Sequence, residues 1–333
     1  MTPSPGASPL ASTLSPPTVR PPTRSVDVSV LVPAKDEAEN LPLFMELAAA
    51  AFAGSPYSYE VVVIDDGSVD RTWAVLEQLA EQYPFLRLAR HRSRRGIADA
   101  LRTGYLAARG DVLVFYPADL QFKPEDIPRL VAPILAGDAD MVTGFKEGKY
   151  EKAFVSGIYN ALSRALFKVP VKDLNSVKAY RREVMDALPT RPDWHRYMVV
   201  MAAAQGFSVT EIPVPLYPRN AGKSKFATWH RIPVGVLDML SVWFELRFGQ
   251  KPLLLFGMLG VGIVVLSVVV SVVLLLTHAG VRSVWQFIET CLVLGSILFA
   301  TGLLGEQIAG QRAQIREIRR QLDELSAERI KER

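Results

Sequence analysis

Residues 252–277 form an apolar block without a single charged side chain, and this block constrains the fold more than any other feature. A helix needs about 20 apolar residues to cross a bilayer, so the block is long enough. A second block, residues 287–308, carries charge only near its ends, at Glu289 and Glu306. Burial in a protein core is the alternative for both blocks. We interpret them as two transmembrane helices that form a hairpin.

The charges around the two blocks predict their orientation. The connector, residues 278–286, holds one basic residue, Arg282. The outer flanks carry Arg247, Lys251, Arg312, Arg316, Arg319 and Arg320. Basic flanks remain in the cytoplasm during membrane insertion. The pattern therefore predicts a multi-pass protein of the cytoplasmic membrane, with its soluble part and both termini in the cytoplasm.

Composition excludes some classes of protein and characterises the N-terminus. The formal net charge of +4 gives no indication of nucleic-acid binding. The single cysteine, Cys291, lies in the second apolar block, so no internal disulfide can form. Residues 1–25 are rich in Pro, Ser and Thr and contain no apolar core. They predict a disordered tail rather than a signal peptide or a membrane span.

Between the tail and the apolar blocks, short β-branched runs alternate with helix-like stretches. The runs are residues 28–32, 60–64, 86–89 and 112–116, and the helix-like stretches are residues 41–53, 71–83 and 98–108. Continuously apolar runs are typical of strands that are buried on both faces of a parallel sheet. Their alternation with helices predicts a doubly wound α/β sheet.

In such sheets, ligands bind beyond the carboxyl ends of the strands. This rule selects residues 33–37, 65–68 and 117–121, where several carboxylates follow strands. Helix capping is the alternative for Asp36 and Asp65. Neither a Rossmann glycine fingerprint nor a Walker lysine motif is present. A polyphosphate ligand would therefore need a metal ion or basic side chains to neutralise its charge.

Two further segments have an amphipathic pattern. In residues 234–248 the polar residues Asp238, Ser241 and Glu245 form a narrow stripe beside a wide apolar face. This pattern predicts a helix that lies in the membrane interface, and a core helix of the soluble part is the alternative. Residues 308–325 carry apolar side chains at near-heptad spacing. They fit either a short coiled coil or a simple amphipathic helix.

Four motifs occur in order along the chain: VSVLVPAKDEAENL, VVVIDDGSVDRT, ADLQFKPEDI and RNAGKSKF. With these motifs the chain resembles the inverting GT-A (family 2) glycosyltransferases of the dolichol-phosphate mannose synthase type. Its hairpin makes the layout similar to that of the bacterial polyprenyl-phosphate (bactoprenol) glucosyltransferases and aminoarabinose transferases. The resemblance covers about residues 28–308.

The composition, the patterns and the resemblance together predict a division of the chain into five segments. They are a tail at 1–25, a GT-A (Rossmann-like) nucleotide-sugar domain at 26–228, an amphipathic interfacial helix at 229–251, a two-helix transmembrane hairpin at 252–308 and a cytoplasmic C-terminal helix at 309–333.

The resemblance also implies roles for residues on the donor side. Pro33 and Glu37 match the segment that lies against the nucleotide, and Asp66 matches the carboxylate that accepts a hydrogen bond from the base. Gly96 and Ala98 fall in a glycine-rich segment where the backbone approaches the nucleotide.

Asp119 and Gln121 match the positions that hold a divalent metal ion, Mg²⁺ or Mn²⁺, in the family. Pro117 stands where relatives often carry the first aspartate of a DxD pair. The expected metal site therefore has one negative charge fewer than usual.

Basic residues match positions near the phosphates. The loop that the resemblance places near the diphosphate and the acceptor phosphate contains Arg219, Lys223, Ser224 and Lys225. Lys146 stands where the family often has an arginine for the acceptor phosphate, and Asp173, Asn175 and Ser176 border the sugar pocket. Solvated surface charge is the alternative for the basic loop. His195 is not assigned, because a lone histidine is more often structural.

The implied reaction moves a sugar from a nucleoside diphosphate to a polyprenyl phosphate, undecaprenyl or dolichyl, with inversion, for synthesis of a cell-envelope glycan. A UDP-sugar is the favoured donor and GDP-mannose the alternative. A phosphate monoester is already an anionic nucleophile near neutral pH, so the reaction needs no general base.

The expected partners are the two substrates, the lipid bilayer and a second copy of the chain, which would associate through the membrane and C-terminal helices. Two other functions stay open. A processive polysaccharide synthase is one, although its QxxRW-type motif is missing. The other is a non-catalytic membrane scaffold. This alternative stays open because Pro117 stands where relatives often carry an aspartate.

Overall fold

The computed structural model of the protein describes residues 26–147, 161–164, 166–167, 169, 171–188, 194–220, 231–276 and 281–331. The predicted tail and three residues of the predicted basic loop, Lys223, Ser224 and Lys225, lie outside these ranges. The chain divides into two compact units. The first comprises Met1–Glu151 and Val171–Lys223, and the second comprises Lys152–Pro170 and Ser224–Arg333.

The first half of the sheet is parallel, as the sequence predicts. Its strands are β1 (Val26–Ala34), β2 (Tyr59–Asp65), β3 (Leu86–Arg90) and β4 (Gly110–Phe115), in the order β3-β2-β1-β4. The helices between them are α1 (Leu41–Ala53), α2 (Thr72–Gln82) and α3 (Ile97–Ala107). Each element ends within two residues of its predicted limits.

The second half makes the sheet mixed. Helix α4 (Ile127–Leu135) leads into β5 (Met141–Glu147), and β6 (Lys178–Arg181) lies between β4 and β5, antiparallel to both. The outer strand β7 (Val209–Pro215) is parallel to β5. The predicted α/β sheet of the GT-A type is confirmed, and the antiparallel strand β6, which was not predicted from the sequence, enters it from a loop at the carboxyl ends of β4 and β5. Its four residues include two charged ones, so no apolar run indicates a strand.

Shorter elements connect β6 to β7. Helix α5 (Arg182–Ala187) follows β6 directly, and a one-turn 3₁₀ helix (Trp194–Tyr197) leads into α6 (Met198–Ala204). Earlier in the chain, between β4 and α4, lies a second 3₁₀ turn (Pro124–Asp126).

The core of this unit lies on both faces of the central strands. The whole run from Val28 to Val32 is buried, and so is the run from Val61 to Ile64. Phe44 and Met45 of α1 and Leu76 of α2 pack on this core without exposed surface. Each such side chain stabilises the fold by about 1.5–3 kcal/mol. The core holds the carboxyl ends of β1, β2 and β4 together at one edge.

The second unit contains α7 (Arg231–Phe248), α8 (Pro252–Leu276) and α9 (Val281–Lys331). Helix α8, with a mean hydropathy of 3.0, and residues Val284–Ile315 of α9, with 2.0, are long and apolar enough to cross a membrane. Both predicted spans are therefore candidate transmembrane helices. The second span is part of a continuous helix of 51 residues, which is about 75 Å long.

Helices α8 and α9 pack against each other through small residues. A Cβ atom added at Gly260 would lie 2.5 Å from the carbonyl oxygen of Gly295, so the two backbones are in close contact there. Ser267 and Ser271 are also buried in α8, whereas Leu266 and its large apolar neighbours are exposed. Small residues between helices and large apolar residues outside are typical of helices in lipid.

Helix α7 forms where the sequence predicts a helix. Met239 and Val242 are buried, whereas Leu237 and Leu240 are exposed. Glu245 forms an ion pair with Arg312 of α9 at 3.2 Å. Exposed leucines are expected of a helix in the membrane interface, and this location stays a prediction.

Candidate active site

Backbone pairing brings the ends of β1 and β2 together. Ala34 lies opposite Asp65 in the parallel ladder, and the next amide, that of Asp66, donates a hydrogen bond to the Ala34 carbonyl at 2.8 Å. Asp36 has a positive φ of 52°. Its amide donates to Ser68 Oγ, and its carboxylate accepts from the amide of Val69, both at 2.9 Å. Asp36 therefore ties the loops after β1 and β2 to each other.

The helix-capping alternative for Asp36 and Asp65 is wrong. The residues at the N-caps of α1 and α2 are Asn40 and Arg71. Asp65 Oδ1 accepts a hydrogen bond from the Ser68 amide at 2.8 Å, and its Oδ2 pairs with Arg90 at 3.2 Å. Both carboxylates shape the ligand edge of the sheet.

Asp66 is buried and accepts three hydrogen bonds. Its Oδ1 accepts from the Arg95 amide and contacts His91 Nδ1, and its Oδ2 accepts from the Gly96 amide, all at 2.8 Å. Burial acts to raise the pKa of this carboxyl, but the bonds from Arg95, His91 and Gly96 together hold that pKa below its ordinary value. Asp66 is therefore an ionised acceptor, and it orders the segment that precedes α3.

Glu37 connects the start of α1 to the end of the described part of the basic loop. Its amide donates to Thr72 Oγ1 at 2.9 Å, and its carboxylate accepts from the Asn40 side chain at 2.7 Å. Asn40 in turn accepts a bond from Asn220 at 3.1 Å. Pro33 lies in the β1 ladder opposite Ile64.

Gly96 is the N-cap residue of α3 and has a φ of 95°, which favours glycine. A backbone without a Cβ at this point allows a ligand to approach the helix N-terminus.

Asp119, Gln121 and Arg219 meet at the carboxyl end of β4. Arg219 Nη2 lies 2.8 Å from Asp119 Oδ2 and 3.4 Å from Gln121 Oε1. The Gln121 amide donates to Asp119 Oδ1 at 3.2 Å, and the Tyr217 amide donates to the Gln121 carbonyl at 2.9 Å. Leu120, between the two oxygen donors, has a φ of 57°, so the backbone turns sharply. The loop after β4 and the segment after β7 are thus joined.

These contacts test whether the residues fit a divalent cation. Two oxygens, one from a carboxylate and one from an amide, converge on a single positively charged nitrogen, as they would on an ion. Within the described ranges, no group of three or more His, Cys, Asp and Glu side chains could hold a metal. The convergence of the Asp119 and Gln121 oxygens fits a metal ion, and such an ion would take its remaining ligands from the diphosphate and water.

Lys146 and Asp173 form a third group at the same edge of the sheet. Lys146 Nζ lies 3.1 Å from Asp173 Oδ2 and donates to the Asn175 carbonyl at 2.9 Å. The Asn175 amide donates to Asp173 Oδ1 at 2.9 Å. Lys146 stands near the end of β5, and Asp173 lies in the loop that leads into β6.

The structure thus places the predicted residues in three groups at one edge of the sheet. The first surrounds the ends of β1 and β2 and contains Pro33, Glu37, Asp66 and Gly96. The second consists of Asp119, Gln121 and Arg219, and the third of Lys146 and Asp173.

His91 and Lys178 are not among the site residues predicted from the sequence, and His195 was given no role. His91 bridges Asp66 and Thr103, each at 2.8 Å, and it directly follows β3. The rule on the carboxyl ends of strands would have selected it, had it been applied to the third strand. Lys178 is fully buried at the start of β6. In the sequence, only its position between the apolar residues Val177 and Ala179 indicated that Lys178 is buried.

The fold and the site define a class of protein. Residues 29–168 match the family model described as Glycosyl transferase family 2. The part of the chain that contains the candidate site therefore matches a glycosyltransferase family model, its sheet is of the GT-A type, and two candidate transmembrane helices follow it in the sequence. The protein is a glycosyltransferase.

Particular relatives narrow this class. The chain is 28% identical over 303 residues to a dodecaprenyl-phosphate galacturonate synthase of Rhizobium johnstonii, an alignment that covers 86% of this chain and 89% of that protein. It is 27% identical over 297 residues to an undecaprenyl-phosphate 4-deoxy-4-formamido-L-arabinose transferase of Pseudomonas fluorescens, which covers 87% of each chain.

Among solved structures, the chain is similar to glucosyl-3-phosphoglycerate synthase of Mycobacterium tuberculosis. The TM-score is 0.53 at 18% identity, over 68% of this chain and 83% of that one. This likeness shows the fold.

Proposed function

We propose that the protein transfers a sugar from a UDP-sugar to a polyprenyl phosphate, with inversion, at the cytoplasmic face of the membrane. The contact of Arg219 with Asp119 and Gln121 carries this proposal, because it puts a cation and two oxygen donors together at the ligand edge of the sheet. The names of the two relatives, each of which acts on a polyprenyl phosphate, support the choice of acceptor.

The hydrogen bonds of Asp66 favour uracil as the base of the donor. A carboxylate oxygen accepts about two hydrogen bonds. Oδ1 already has two partners, and Oδ2 has one among the described residues. One further position on Oδ2 suits the single imide N–H of uracil. Guanine, which offers a ring N–H beside an amino group, would need both oxygens. The bound UDP of the mycobacterial synthase supports the same choice.

Neutralisation of the diphosphate involves the second group of residues. Asp119 and Gln121 would hold Mg²⁺ or Mn²⁺, and the ion would supply positive charge to the leaving diphosphate. The mycobacterial synthase was solved with Mn²⁺ and UDP. Arg219 would then exchange its contact with Asp119 for a contact with phosphate oxygens, to which a guanidinium donates two parallel bonds. Lys223, Ser224 and Lys225 of the same loop are proposed to contact the phosphates as well.

The acceptor supplies its own nucleophile. The phosphate oxygen forms a bond to the anomeric carbon while the bond from that carbon to the diphosphate breaks, and attack on the opposite face inverts the configuration. Lys146 is proposed to bind the acceptor phosphate, and Asp173 to border the sugar. Pro33, Glu37 and Gly96 are proposed to lie against the nucleotide. The contribution of the protein is orientation and charge stabilisation, which are large terms in catalysis.

The membrane segments fit a lipid acceptor. Helices α8 and α9 would anchor the enzyme and α7 would lie in the interface. The basic flanks support a cytoplasmic location of the soluble domain. The proposal includes the five segments predicted from the sequence, with boundaries after residues 25, 228, 251 and 308.

The experiment is a transfer assay with detergent-purified full-length protein, a panel of UDP- and GDP-sugars, and a short-chain polyprenyl phosphate. We expect one UDP-sugar to give a polyprenyl-phosphate-linked monosaccharide in the presence of Mg²⁺ or Mn²⁺, and Asp119→Asn to nearly abolish its formation. A long polymer as the product would favour a processive synthase instead. Binding of nucleotide without transfer or hydrolysis of any donor would favour a non-catalytic scaffold.

A further inference from the structure

Lys178, the first residue of β6, is fully buried, with 0% of its surface exposed. Its cross-strand neighbours are Phe115 on β4 and Thr143 on β5. The ammonium donates to the carbonyl oxygen of Ser176 at 2.7 Å and lies 5.9 Å from the centre of the Phe115 ring. Burial of an ammonium is unfavourable, and a lysine is almost never fully buried in a protein unless it has a partner. Core packing therefore does not account for a lysine at this position.

Two lysines hold one loop. Lys146 donates to the carbonyl of Asn175 at 2.9 Å, and Lys178 donates to the next carbonyl, that of Ser176. Asp173 begins the loop and pairs with Lys146 at 3.1 Å. The loop leads into β6 at the carboxyl end of β4, which is the edge of the sheet where Asp119 lies.

Polar atoms around this loop retain hydrogen-bonding capacity. Ser176 Oγ, Thr143 Oγ1 and His195 Nδ1 are buried without a hydrogen-bond partner among the described residues. Lys178 itself has three N–H donors and uses one of them on Ser176. Buried polar atoms without hydrogen-bond partners are expected beside a site in which a polar ligand supplies the missing bonds.

The charged and titratable groups that face Lys178 are Asp173, Lys146 and His195. Burial lowers the pKa of Lys178 to about 7, and Lys146 adds to this decrease, whereas Asp173 opposes it. Burial also lowers the pKa of His195 to about 3, with a further contribution from Arg196 and Lys178, so this imidazole is neutral near pH 7. Asp173 is thus the carboxylate that pairs with Lys146 and that also acts to raise the pKa of Lys178 against the effect of burial.

Acceptor binding would redistribute these charges. In the proposed function, Lys146 binds the acceptor phosphate and must share or release Asp173 when it does so. We propose that Lys178 is a positioning residue of the transferase site: its 2.7 Å bond to the Ser176 carbonyl holds the loop that begins at Asp173 in place while Lys146 contacts the acceptor phosphate. This inference rests on the proposed function. Lys178 acts through this loop and does not touch the substrate.

A double-mutant cycle tests the dependence on Asp173. In the full-length protein, Lys178→Met lowers kcat/KM for the acceptor about tenfold and changes KM for the donor less, because the loop beside Lys146 loses the bond that Lys178 donates to it and neighbouring residues are coupled. Lys178→Arg, which keeps the charge, restores part of the loss. In an Asp173→Asn background, Lys178→Met has almost no additional effect. Additive losses in the cycle, or full activity of Lys178→Met, would overturn the proposal.

Stability separates a positioning role from a structural one. Lys178→Met is expected to keep or raise the thermal unfolding midpoint, since it removes a buried charge. Glu60→Gln, at the opposite edge of the sheet, is the structural control, and it lowers the midpoint without changing kcat/KM of the folded enzyme. A loss of activity in Lys178→Met that merely follows a loss of folded protein contradicts the positioning role.

Proton uptake gives a readout that does not depend on transfer. Binding of a short-chain polyprenyl phosphate is measured by calorimetry in two buffers of different ionisation enthalpy at about pH 7.5, where the phosphate is already mostly dianionic. The wild type takes up protons as Lys178 becomes protonated beside Asp173, and Lys178→Met takes up none. Equal uptake in both contradicts the role of Lys178. If nucleotide sugar binds but polyprenyl phosphate does not, the proposed function fails, and the inference fails with it.

Discussion

At the scale of single residues, the guanidinium of Arg219 occupies the position between Asp119 and Gln121 that a metal ion would take. The guanidinium of Arg219 contacts both Asp119 and Gln121, so a metal ion has to compete with it before the donor arrives. Pro117 adds no oxygen at the position where a second carboxylate would strengthen the metal site. In the proposed function, the diphosphate of the nucleotide would supply the missing negative charge and would give Arg219 another anion to bind.

The first prediction concerns this competition. Arg219→Ala lowers the transfer rate at least about tenfold, because one charge-assisted bond to phosphate contributes 1.5–3 kcal/mol. The same variant binds Mn²⁺ more tightly than the wild type in the absence of nucleotide, since Asp119 loses its competing cation. Transfer assays and metal titration by electron paramagnetic resonance measure the two effects.

The matched control is Arg181→Ala, which removes an arginine–aspartate pair with Asp140, 3.3 Å apart, at the opposite edge of the sheet. We expect this control to change neither transfer nor metal binding. If Arg219→Ala and the wild type bind Mn²⁺ with equal affinity, Arg219 does not compete with the metal ion for Asp119.

The second prediction concerns Glu60, which is buried near the start of β2. It accepts a bond from Ser29 Oγ at 2.6 Å and bonds from the Arg109 amide and guanidinium. Burial acts to raise the pKa of this carboxyl, but the bonds from Ser29 and Arg109 together lower it below its ordinary value. A lowered pKa in the folded state means that the contribution to stability is complete above the unfolded pKa, about 4.3, and is lost as the pH falls below it.

We therefore expect Glu60→Gln to lower the free energy of unfolding at pH 7 by about 1–3 kcal/mol, because an amide leaves one of the donors around it without a partner. The loss of stability on acidification should be smaller in Glu60→Gln than in the wild type. Thermal unfolding midpoints between about pH 3 and pH 7 measure both effects. Identical pH dependence of the two proteins would contradict the account.

At the scale of elements, the hairpin of α8 and α9 depends on backbone contact. The third prediction is that Gly260→Leu separates the two helices, because even its Cβ would lie 2.5 Å from the Gly295 carbonyl oxygen. Gly262→Leu, on the same helix, is the control, since a Cβ there meets nothing within 4 Å. The midpoint of thermal unfolding in detergent should fall in Gly260→Leu and stay unchanged in Gly262→Leu. A fall of equal size in both would mean that the side-chain volume, and not the helix contact, is responsible.

At the scale of the whole molecule, the orientation in the membrane is open to a direct measurement. The fourth prediction uses single cysteines in a Cys291→Ser background, one at Val281 and one at Gln314. An impermeant maleimide applied to intact cells without an outer barrier should label the cysteine at Val281. The cysteine at Gln314 should be labelled only after the membrane is opened, because the positive-inside rule predicts that its basic flank lies in the cytoplasm. Labelling of both from the same side would exclude the hairpin topology.

The sequence alone determined the local and one-dimensional features of the protein. Apolar runs such as Val61–Ile64 identified the parallel strands, because a strand buried on both faces needs apolar residues at every position. The uncharged block of α8 identified a candidate membrane span by length and composition. Residues that directly follow strands, such as Asp66 and Asp119, were selected because parallel strands end at one edge of the sheet.

Only the tertiary structure decided which residues meet across the chain. The antiparallel strand β6 depends on pairing with β4 and β5, partners more than thirty residues away, and its own four residues carry no pattern. The contact of Arg219 with Asp119 and the burial of Lys178 depend in the same way on distant neighbours. Local propensity is a property of adjacent residues, whereas the environment of a charge is set by groups that folding brings from elsewhere in the sequence. For this reason the sequence predicts at which edge of the sheet a ligand binds, whereas the structure decided which charges face one another at that edge.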